Sequence, residues 1–223
     1  MFKARVGKRL ASFEPNARVT ESQTSTTKQT LCFHVAAESI LLLLPEPVTC
    51  FRHATYLQSQ KFYLAEGSAS VIILDWITSG RMSMGEEWAF SRYHSVNEVF
   101  VQGKRVAKDV VLLDDTELGG GVPSRTLSER MRPYACYAML LLHGPQLLSI
   151  ITKIMECYNR IRIFKARVPD ELIWSVSHVD RTKLGVVIRV AGIETEIVKE
   201  WLKEALVGLE ALIGSDAYKR VFP

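Results

Sequence analysis

The stretch most informative about the fold is Leu74-Asp75-Trp76-Ile77-Thr78-Ser79-Gly80-Arg81-Met82-Ser83-Met84-Gly85-Glu86-Glu87-Trp88. Its first part continues an apolar run, residues 71–76, of the kind that forms a β-strand buried in a sheet. Gly80 and Gly85 then interrupt the run, and glycine tolerates the unusual backbone angles of a tight loop. The pattern predicts a strand that ends in a loop, with four charged side chains close together at one sheet end: Asp75, Arg81, Glu86 and Glu87.

The carboxylates of this segment allow two interpretations. Asp75 and Glu86 could act as the paired acid and base of a hydrolase, because two carboxylates in one cleft push each other's pKa values apart. Alternatively, Arg81 forms a charge-assisted bridge to one of the carboxylates and fixes the loop, since an arginine nearby is the usual partner of a buried acid. We favour the second interpretation, and we interpret Trp76 and Trp88 as core anchors.

The rest of the chain predicts a mainly β fold. Residues 31–115 form a succession of short β-type runs separated by turn residues, and Gln102-Gly103-Lys104 joins two of them in a hairpin pattern. Together these runs indicate stacked antiparallel sheets. The polar residues 1–30 lack periodicity and are expected to be partly disordered.

A different pattern follows Gly119-Gly120-Gly121-Val122-Pro123, which we interpret as part of a linker over residues 116–133. Residues 134–214 predict a β-α-β-β-α tail with two helices. Pro145 opens the first helix, where the missing N–H of proline costs nothing. Thr195 can cap the second helix and Gly214 ends it. We expect residues 31–223 to form a single domain, with a β body over residues 31–115.

Composition and charge exclude several classes of function. The formal net charge is +4, but residues 1–30 hold six basic and two acidic residues, which leaves residues 31–223 balanced. A nucleic-acid-binding domain would carry a basic face on its folded body, so we expect no nucleic-acid partner. No uninterrupted apolar run, residues 40–44 included, approaches the length of a membrane span. The four cysteines form no Cys-x-x-Cys pair, which indicates a reducing compartment, most simply the cytoplasm.

The sequence contains no local motif for a metal or a nucleotide. The five histidines stand far apart without the spacing that fixes a metal, so any metal site is unknown at this point. There is no phosphate-binding Gly-x-x-x-x-Gly-Lys loop and no Gly-x-Ser-x-Gly nucleophile elbow. Met82 and Met84 are soft thioether residues beside Arg81, and we expect them to serve as packing.

As a whole, the opening segment resembles the Asp-Trp-x-x-x-Gly-Arg-x-x-x-Gly-Glu stretch of the UreD family of urease accessory proteins, called UreH in some bacteria. Trp76, Gly80, Arg81, Gly85 and Trp88 are the structural residues of the segment. The resemblance runs from about residue 31 to residue 214. Further segments similar to the family, in the same order, are Leu43-Leu44-Pro45-Glu46-Pro47-Val48-Thr49-Cys50-Phe51, Tyr56-Leu57-Gln58-Ser59-Gln60-Lys61-Phe62, Ser128-Glu129-Arg130-Met131, His143-Gly144-Pro145 and Leu184-Gly185-Val186-Val187-Ile188-Arg189-Val190-Ala191.

The resemblance implies a cytoplasmic protein that is not an enzyme. Members of the family act on apo-urease with the partners UreF and UreG, and nickel reaches the urease active site through this complex. Nickel would be a transient cargo, with no tightly bound cofactor. The family is thought to conduct nickel through an internal passage lined by polar and acidic residues, which makes Asp75 and Glu86 candidates for lining groups. Replacing both by Ala is expected to lower nickel loading without weakening assembly with UreF.

One departure from the family pattern concerns the N-terminus. Phe2-Lys3-Ala4-Arg5 looks like the short basic strand that follows the glycine-rich N-terminal region of the family, which this chain lacks. Missing first strands would leave sheet edges unpaired, so we expect a truncated chain that is poorly soluble without a partner. An inactive product that retains only part of the fold is therefore the alternative to an active accessory protein.

Overall fold

The computed structural model of the chain describes residues 26–114, 125–161, 171–179 and 182–221. The strands are β1 (Thr26–Val35), β2 (Ile40–Leu43), β3 (Val48–Thr49), β4 (Thr55–Leu64), β5 (Ser70–Thr78), β6 (Arg92–Val101), β7 (Lys104–Asp114), β8 (Cys136–His143), β9 (Leu172–His178) and β10 (Gly185–Gly192). The helices are α1 (Leu127–Met131), α2 (Leu148–Ile161), α3 (Thr195–Ala205), α4 (Glu210–Ile213) and α5 (Ser215–Val221). The fold is mainly β, as the sequence predicts.

The strands form two sheets. The first has the order β1-β4-β6-β7, and the second has the order β2-β5-β8-β10-β9, with β3 paired to the end of β5. The predicted hairpin at Gln102-Gly103-Lys104 is confirmed, because β6 and β7 pair in antiparallel fashion across this turn. Residues 87–90 lie within the segment of predicted β-type runs, but they form no strand and belong to the loop between β5 and β6.

The strand directions differ in part from the antiparallel prediction. β5, β8, β10 and β9 pair antiparallel, but β1, β4 and β6 run parallel to one another, and β2 and β3 run parallel to β5. The physical reason lies in the connections. From β1 to β6 the chain passes repeatedly from one sheet to the other, so each return brings the next strand in with the same direction. Short runs in sequence do not reveal such crossings.

The described residues form three layers, with the second sheet in the middle. One hydrophobic cluster lies between the two sheets and includes Phe62, Ile73 and Val99. A second cluster lies between the other face of the second sheet and the helices, and it includes Ile72 and Leu202. Strand β5 is therefore buried on both faces, which is why its sequence reads as a continuous apolar run rather than an alternating one.

The C-terminal tail agrees with the predicted β-α-β-β-α order but has more helical pieces. Pro145 lies in a 3-10 turn that leads directly into α2. The predicted final helix is interrupted after α3, where a 3-10 turn precedes α4, and Gly214 with φ +83° ends α4. Thr195 is the first residue of α3 rather than its cap, since Glu194 occupies the cap position.

The borders of the predicted segments shift slightly. β1 begins at Thr26, inside the segment that was expected to be polar and partly disordered, because pairing with β4 orders these residues. The predicted linker over residues 116–133 contains α1, whose first turn is stabilised by a capping box between Thr126 and Glu129. Residues 1–25 and the Gly119-Gly120-Gly121-Val122-Pro123 run lie outside the described residues. The four cysteines are free thiols.

Candidate functional site: the polar cluster between the sheets

The space between the sheets contains a polar cluster built around Asp75. The side chain of Asp75 points from the middle of β5 toward the first sheet, and the residue is only 4% exposed. Its neighbour Trp76 points the other way, into the helical cluster, as alternation along a strand requires. A carboxylate in such a position demands hydrogen-bond donors, because burial of an unpaired charge is costly.

Four side chains from the first sheet donate hydrogen bonds to Asp75. Oδ1 accepts from Tyr93 Oη at 2.8 Å and from Gln58 Nε2 at 3.2 Å. Oδ2 accepts from Ser95 Oγ at 2.5 Å and from Asn97 Nδ2 at 2.6 Å. The donors come from β4 and β6, and they face Asp75 because alternate residues of each strand point to the same side. Desolvation and the negative charge of Asp75 raise the pKa of the Tyr93 phenol, so Tyr93 remains a donor.

Next to Asp75 lies a row of side-chain oxygens that lack donors. Gln60, Asn97 and Asp109 occupy one register position across β4, β6 and β7. Gln60 Oε1, Asn97 Oδ1 and Asp109 Oδ2 are buried and have no hydrogen-bond partner. The other oxygen of Asp109 accepts from Arg189 of β10. Three adjacent buried acceptors without donors are unusual, because buried polar atoms are normally paired, and they suit a water molecule or a cation.

Burial dominates the electrostatics of Asp109. Desolvation raises the pKa of this carboxyl above its ordinary value of 3.8, while the Arg189 guanidinium lowers it and the Asp75 charge raises it further. A bound cation would reverse that balance, because positive charge favours the ionised carboxylate. The cluster therefore contains more buried acceptor oxygens than its own hydrogen-bond donors can pair.

The loop after β5 forms a separate network. Arg81 Nε donates to Glu86 Oε2 at 2.8 Å, and Arg81 Nη2 donates to Glu86 Oε1 at 2.7 Å, which makes a two-pronged bridge. This hydrogen bonding lowers the pKa of Glu86. Glu87 pairs instead with Arg132 at 3.3 Å. The prediction that Arg81 bridges a carboxylate of the segment is thus confirmed for Glu86. The prediction that Asp75 joins the loop charges is wrong, because the donors of Asp75 belong to the opposite sheet.

The two glycines shape this loop in different ways. Gly80 has φ +123°, and a Cβ there would collide with the carbonyl oxygen of Glu86. Gly85 has φ +66° in the left-handed region and ends the short 3-10 turn Met82–Met84. Met82 and Met84 are 56% and 65% exposed, so the prediction that they serve as packing is wrong. Met82 Sδ accepts a hydrogen bond from Ser79 Oγ within the loop.

Both tryptophans of the segment are buried anchors, as predicted. Trp88 is 2% exposed and donates its indole N–H to the carbonyl of Tyr134 at 3.0 Å. Trp76 is 5% exposed and donates to the carbonyl of Pro45 at 2.8 Å. Each ring therefore satisfies its polar atom while filling a core, which is the usual way to bury tryptophan.

Sequence reasoning found Asp75 but missed the residues around it. A signal was present in Tyr93-His94-Ser95-Val96-Asn97, where polar residues occupy every second position of a strand. In an ordinary strand with one buried face, the apolar positions of such a pattern face the core. The structure buries Ser95 and Asn97 instead, because Asp75 lies opposite them. Within the described ranges, no group of three or more His, Cys, Asp or Glu side chains is arranged to hold a metal ion.

Comparison with known proteins identifies the family. The family model described as UreD urease accessory protein matches residues 15–222. The chain belongs to the UreD family of urease accessory proteins. It is 33% identical over 230 residues to urease accessory protein 4 of Cryptococcus neoformans, which covers 97% of this chain and 70% of the relative. It is 32% identical over 211 residues to urease accessory protein D of Arabidopsis thaliana, which covers 86% of this chain and 69% of the relative.

A bacterial relative extends the comparison. The UreD protein of Sorangium cellulosum is 32% identical over 223 residues, which covers 97% of this chain and 65% of the relative. The chain spans about two thirds of the length of the relatives named here. Among the helices of the described ranges, none is long and apolar enough to cross a membrane. Membership of the UreD family places the chain among the accessory proteins of urease.

Proposed function

We propose that this chain acts in the cytoplasm as a scaffold for urease maturation, working with UreF and UreG to deliver nickel to apo-urease. Family membership supports the link to urease, since the relatives are named urease accessory proteins. Nickel is a passing cargo in this proposal, and the chain holds no resident cofactor. The protein contributes binding surfaces and a route for the ion, and it catalyses no reaction of its own.

The row of unpaired oxygens is the observation that carries the nickel route. Gln60, Asn97 and Asp109 offer buried oxygens without donors, and Asn97 connects this row to Asp75 through its amide. Amide and carboxylate oxygens bind nickel more weakly than imidazole or thiolate do. Weak ligands suit a passage, because an ion must leave each position as readily as it enters. Asp75 and Asp109 would supply the negative charge that draws a dication between the sheets.

Glu86 remains a candidate lining group for the nickel route only if its bridge to Arg81 opens. Both of its carboxylate oxygens accept hydrogen bonds from Arg81. A nickel ion could bind Glu86 only by displacing the guanidinium, so we expect Glu86 to contribute less to nickel transfer than Asp75. The hydrolase alternative gains no support, because Asp75 and Glu86 belong to separate hydrogen-bond networks. The alternative of an inactive partial product makes a different prediction in the experiment below.

The test is nickel loading of urease in cells that co-express urease, UreF, UreG and this chain. We expect Asp75→Asn and Asp109→Asn each to lower the nickel content of purified urease several-fold, while pull-down with UreF stays unchanged. Glu87→Gln, which removes the charge of a partly exposed carboxylate of the adjacent loop, serves as the matched control and should load nickel normally. Glu86→Gln should lie close to the control.

The possible outcomes separate the alternatives. Normal nickel content with both Asp75→Asn and Asp109→Asn would refute the intersheet route. No activation and no capture by UreF with the unmodified chain would favour the inactive product. Activation that survives in both aspartate variants, together with normal UreF capture, would leave the scaffold function intact and place the route elsewhere.

A further inference from the structure

A pair of metal-binding side chains lies on the outward face of the first sheet, which no described element covers. Cys32 and His34 are alternate residues of β1, so their side chains share one face, while Leu31, Phe33 and Val35 turn toward the second sheet. His34 is exposed and Cys32 is partly exposed. β1 is the edge strand of its sheet among the described residues, which leaves the pair open at the rim.

The separation of the two ligand atoms fits a shared metal ion. Cys32 Sγ and His34 Nε2 lie 3.7 Å apart. Metal–sulfur and metal–nitrogen bonds of zinc-like ions measure about 2.3 Å and about 2.0 Å, so a tetrahedral angle places the two ligand atoms about 3.5 Å apart. The observed distance needs only a small side-chain adjustment to reach that value.

The imidazole is held in place by its neighbours. The His34 ring stacks on Tyr63 with centroids 5.1 Å apart, and Tyr63 stacks in turn on Phe100 at 4.9 Å. These three residues occupy one register position across β1, β4 and β6. Because stacking restricts the ring, less rotational freedom is lost when Nε2 binds an ion. The aromatic row therefore holds His34 Nε2 close to Cys32 Sγ in the metal-free protein.

The other thiols of the chain lack this arrangement. Burial raises the pKa of Cys50 to about 11 and that of Cys136 to about 12, which keeps both protonated and away from solvent. Cys157 is exposed on α2, and among the described residues it forms no hydrogen bond with a histidine. Cys32 alone combines exposure with an imidazole at ligand distance.

We propose that Cys32 and His34 form a surface chelate for a divalent transition-metal ion of the nickel or zinc class. On binding, the Cys32 thiol releases its proton to solvent and the thiolate sulfur and His34 Nε2 each donate an electron pair to the ion. Two protein ligands leave the remaining positions for water or for a ligand from another protein, which makes the ion exchangeable. The site is separate from the Asp75 cluster, and the proposal does not depend on the proposed nickel route through that cluster.

The experiment titrates the purified, metal-free full chain with Ni²⁺ alone under reducing conditions without a chelator. Thiolate coordination produces a sulfur-to-nickel charge-transfer absorption in the near ultraviolet. We expect this absorption in the unmodified chain and its loss in Cys32→Ser. His34→Phe keeps a ring that can stack on Tyr63 but removes Nε2, and it should weaken Ni²⁺ binding at least about tenfold. Cys157→Ser is the matched control and should keep both absorption and affinity.

Three results would overturn the proposal: no charge-transfer absorption in the unmodified chain, retention of that absorption in Cys32→Ser, or unchanged affinity in His34→Phe. The last result would reduce the site to a lone thiolate. Circular dichroism and the urea midpoint of each variant exclude misfolding, which we do not expect because the substitutions lie on an open sheet face. Capture of nickel by urease does not enter this test, so its outcome is distinct from that of the proposed function.

Discussion

At the scale of single residues, the buried carboxylates Asp75, Asp109 and Glu86 differ in the number of hydrogen-bond donors that they receive. Asp75 receives four donors and is fully paired. Asp109 has one oxygen on Arg189 and one without a partner. Glu86 is 7% exposed and keeps both oxygens on Arg81. Asp109 and Glu86 therefore respond differently to pH, because burial raises the pKa of Asp109 and the Arg81 bridge lowers the pKa of Glu86.

We predict opposite pH effects for Asp109 and Glu86. The raised pKa of Asp109 means that the folded state binds more protons than the unfolded state between 3.8 and the folded pKa. The contribution of Asp109 to the free energy of unfolding therefore falls as pH rises through that window. The lowered pKa of Glu86 reverses the sign: its contribution is present above 4.5 and is lost as pH falls through the folded pKa.

Urea unfolding from about pH 3 to about pH 7 checks this prediction. The free energy of unfolding of the unmodified chain minus that of Asp109→Asn should decrease with rising pH. The corresponding difference for Glu86→Gln should increase. If both differences changed in the same direction with pH, burial would not dominate the pKa of Asp109, or the Arg81 bridge would not dominate that of Glu86.

At the scale of elements, β5 contributes fully buried residues to all three hydrophobic clusters. Val71 and Ile73 face the first sheet, Ile72 and Leu74 face the helices, and Ile77 enters the cluster around Trp88. A strand with one solvated face would show alternating burial, whereas β5 is buried at every position except its last residue. The first sheet differs, because its outer face carries the exposed side chains of Val110 and Leu112.

We predict that adjacent residues of β5 are equally sensitive to truncation. Ile72→Ala and Ile73→Ala remove buried methyl groups from two different cores, and each should lower the free energy of unfolding by about 2–5 kcal/mol. Val110→Ala shortens an exposed side chain on β7 and is the control, with an expected change within about 0.5 kcal/mol. Urea denaturation measures all three. A small effect at either isoleucine would show that one face of β5 is not a packed core.

At the scale of the whole molecule, the shared strand couples the layers. The clusters on the two faces of the second sheet both need β5 and β8 in place, because each strand contributes residues to both. Cys136 lies in the helical cluster, and Cys50 lies in the cluster of Trp88 and Tyr93. Both thiols are buried and become reactive only when their cluster opens.

We predict that the described layers unfold as one cooperative unit. A thiol-labelling reagent applied across a urea series should modify Cys50 and Cys136 with the same midpoint, as read by mass spectrometry of the labelled peptides. Ile73→Ala should shift both midpoints equally, although Ile73 belongs to the cluster between the sheets. The exposed Cys157 provides an internal control that reacts without denaturant. A midpoint for Cys136 that differs from that of Cys50 would indicate layers that open separately.

The sequence alone determined the features that depend on local chemistry. Several features are encoded within short segments: the apolar run of β5, the glycine turn, a bridge from Arg81 to a nearby carboxylate, the proline that leads into α2, and the family resemblance. Each rests on residues close together in the chain, so neighbouring side chains or backbone preferences suffice to specify it.

Only the tertiary structure decided the rest, because it depends on residues that meet from distant strands. The parallel pairing of β1, β4 and β6 follows from repeated crossings between sheets, which no local pattern records. The donors of Asp75 come from strands up to 22 positions away in sequence, and the row of Gln60, Asn97 and Asp109 exists only through strand register. Asp75, which sequence placed among the loop charges, thereby becomes the centre of a polar cluster between two sheets.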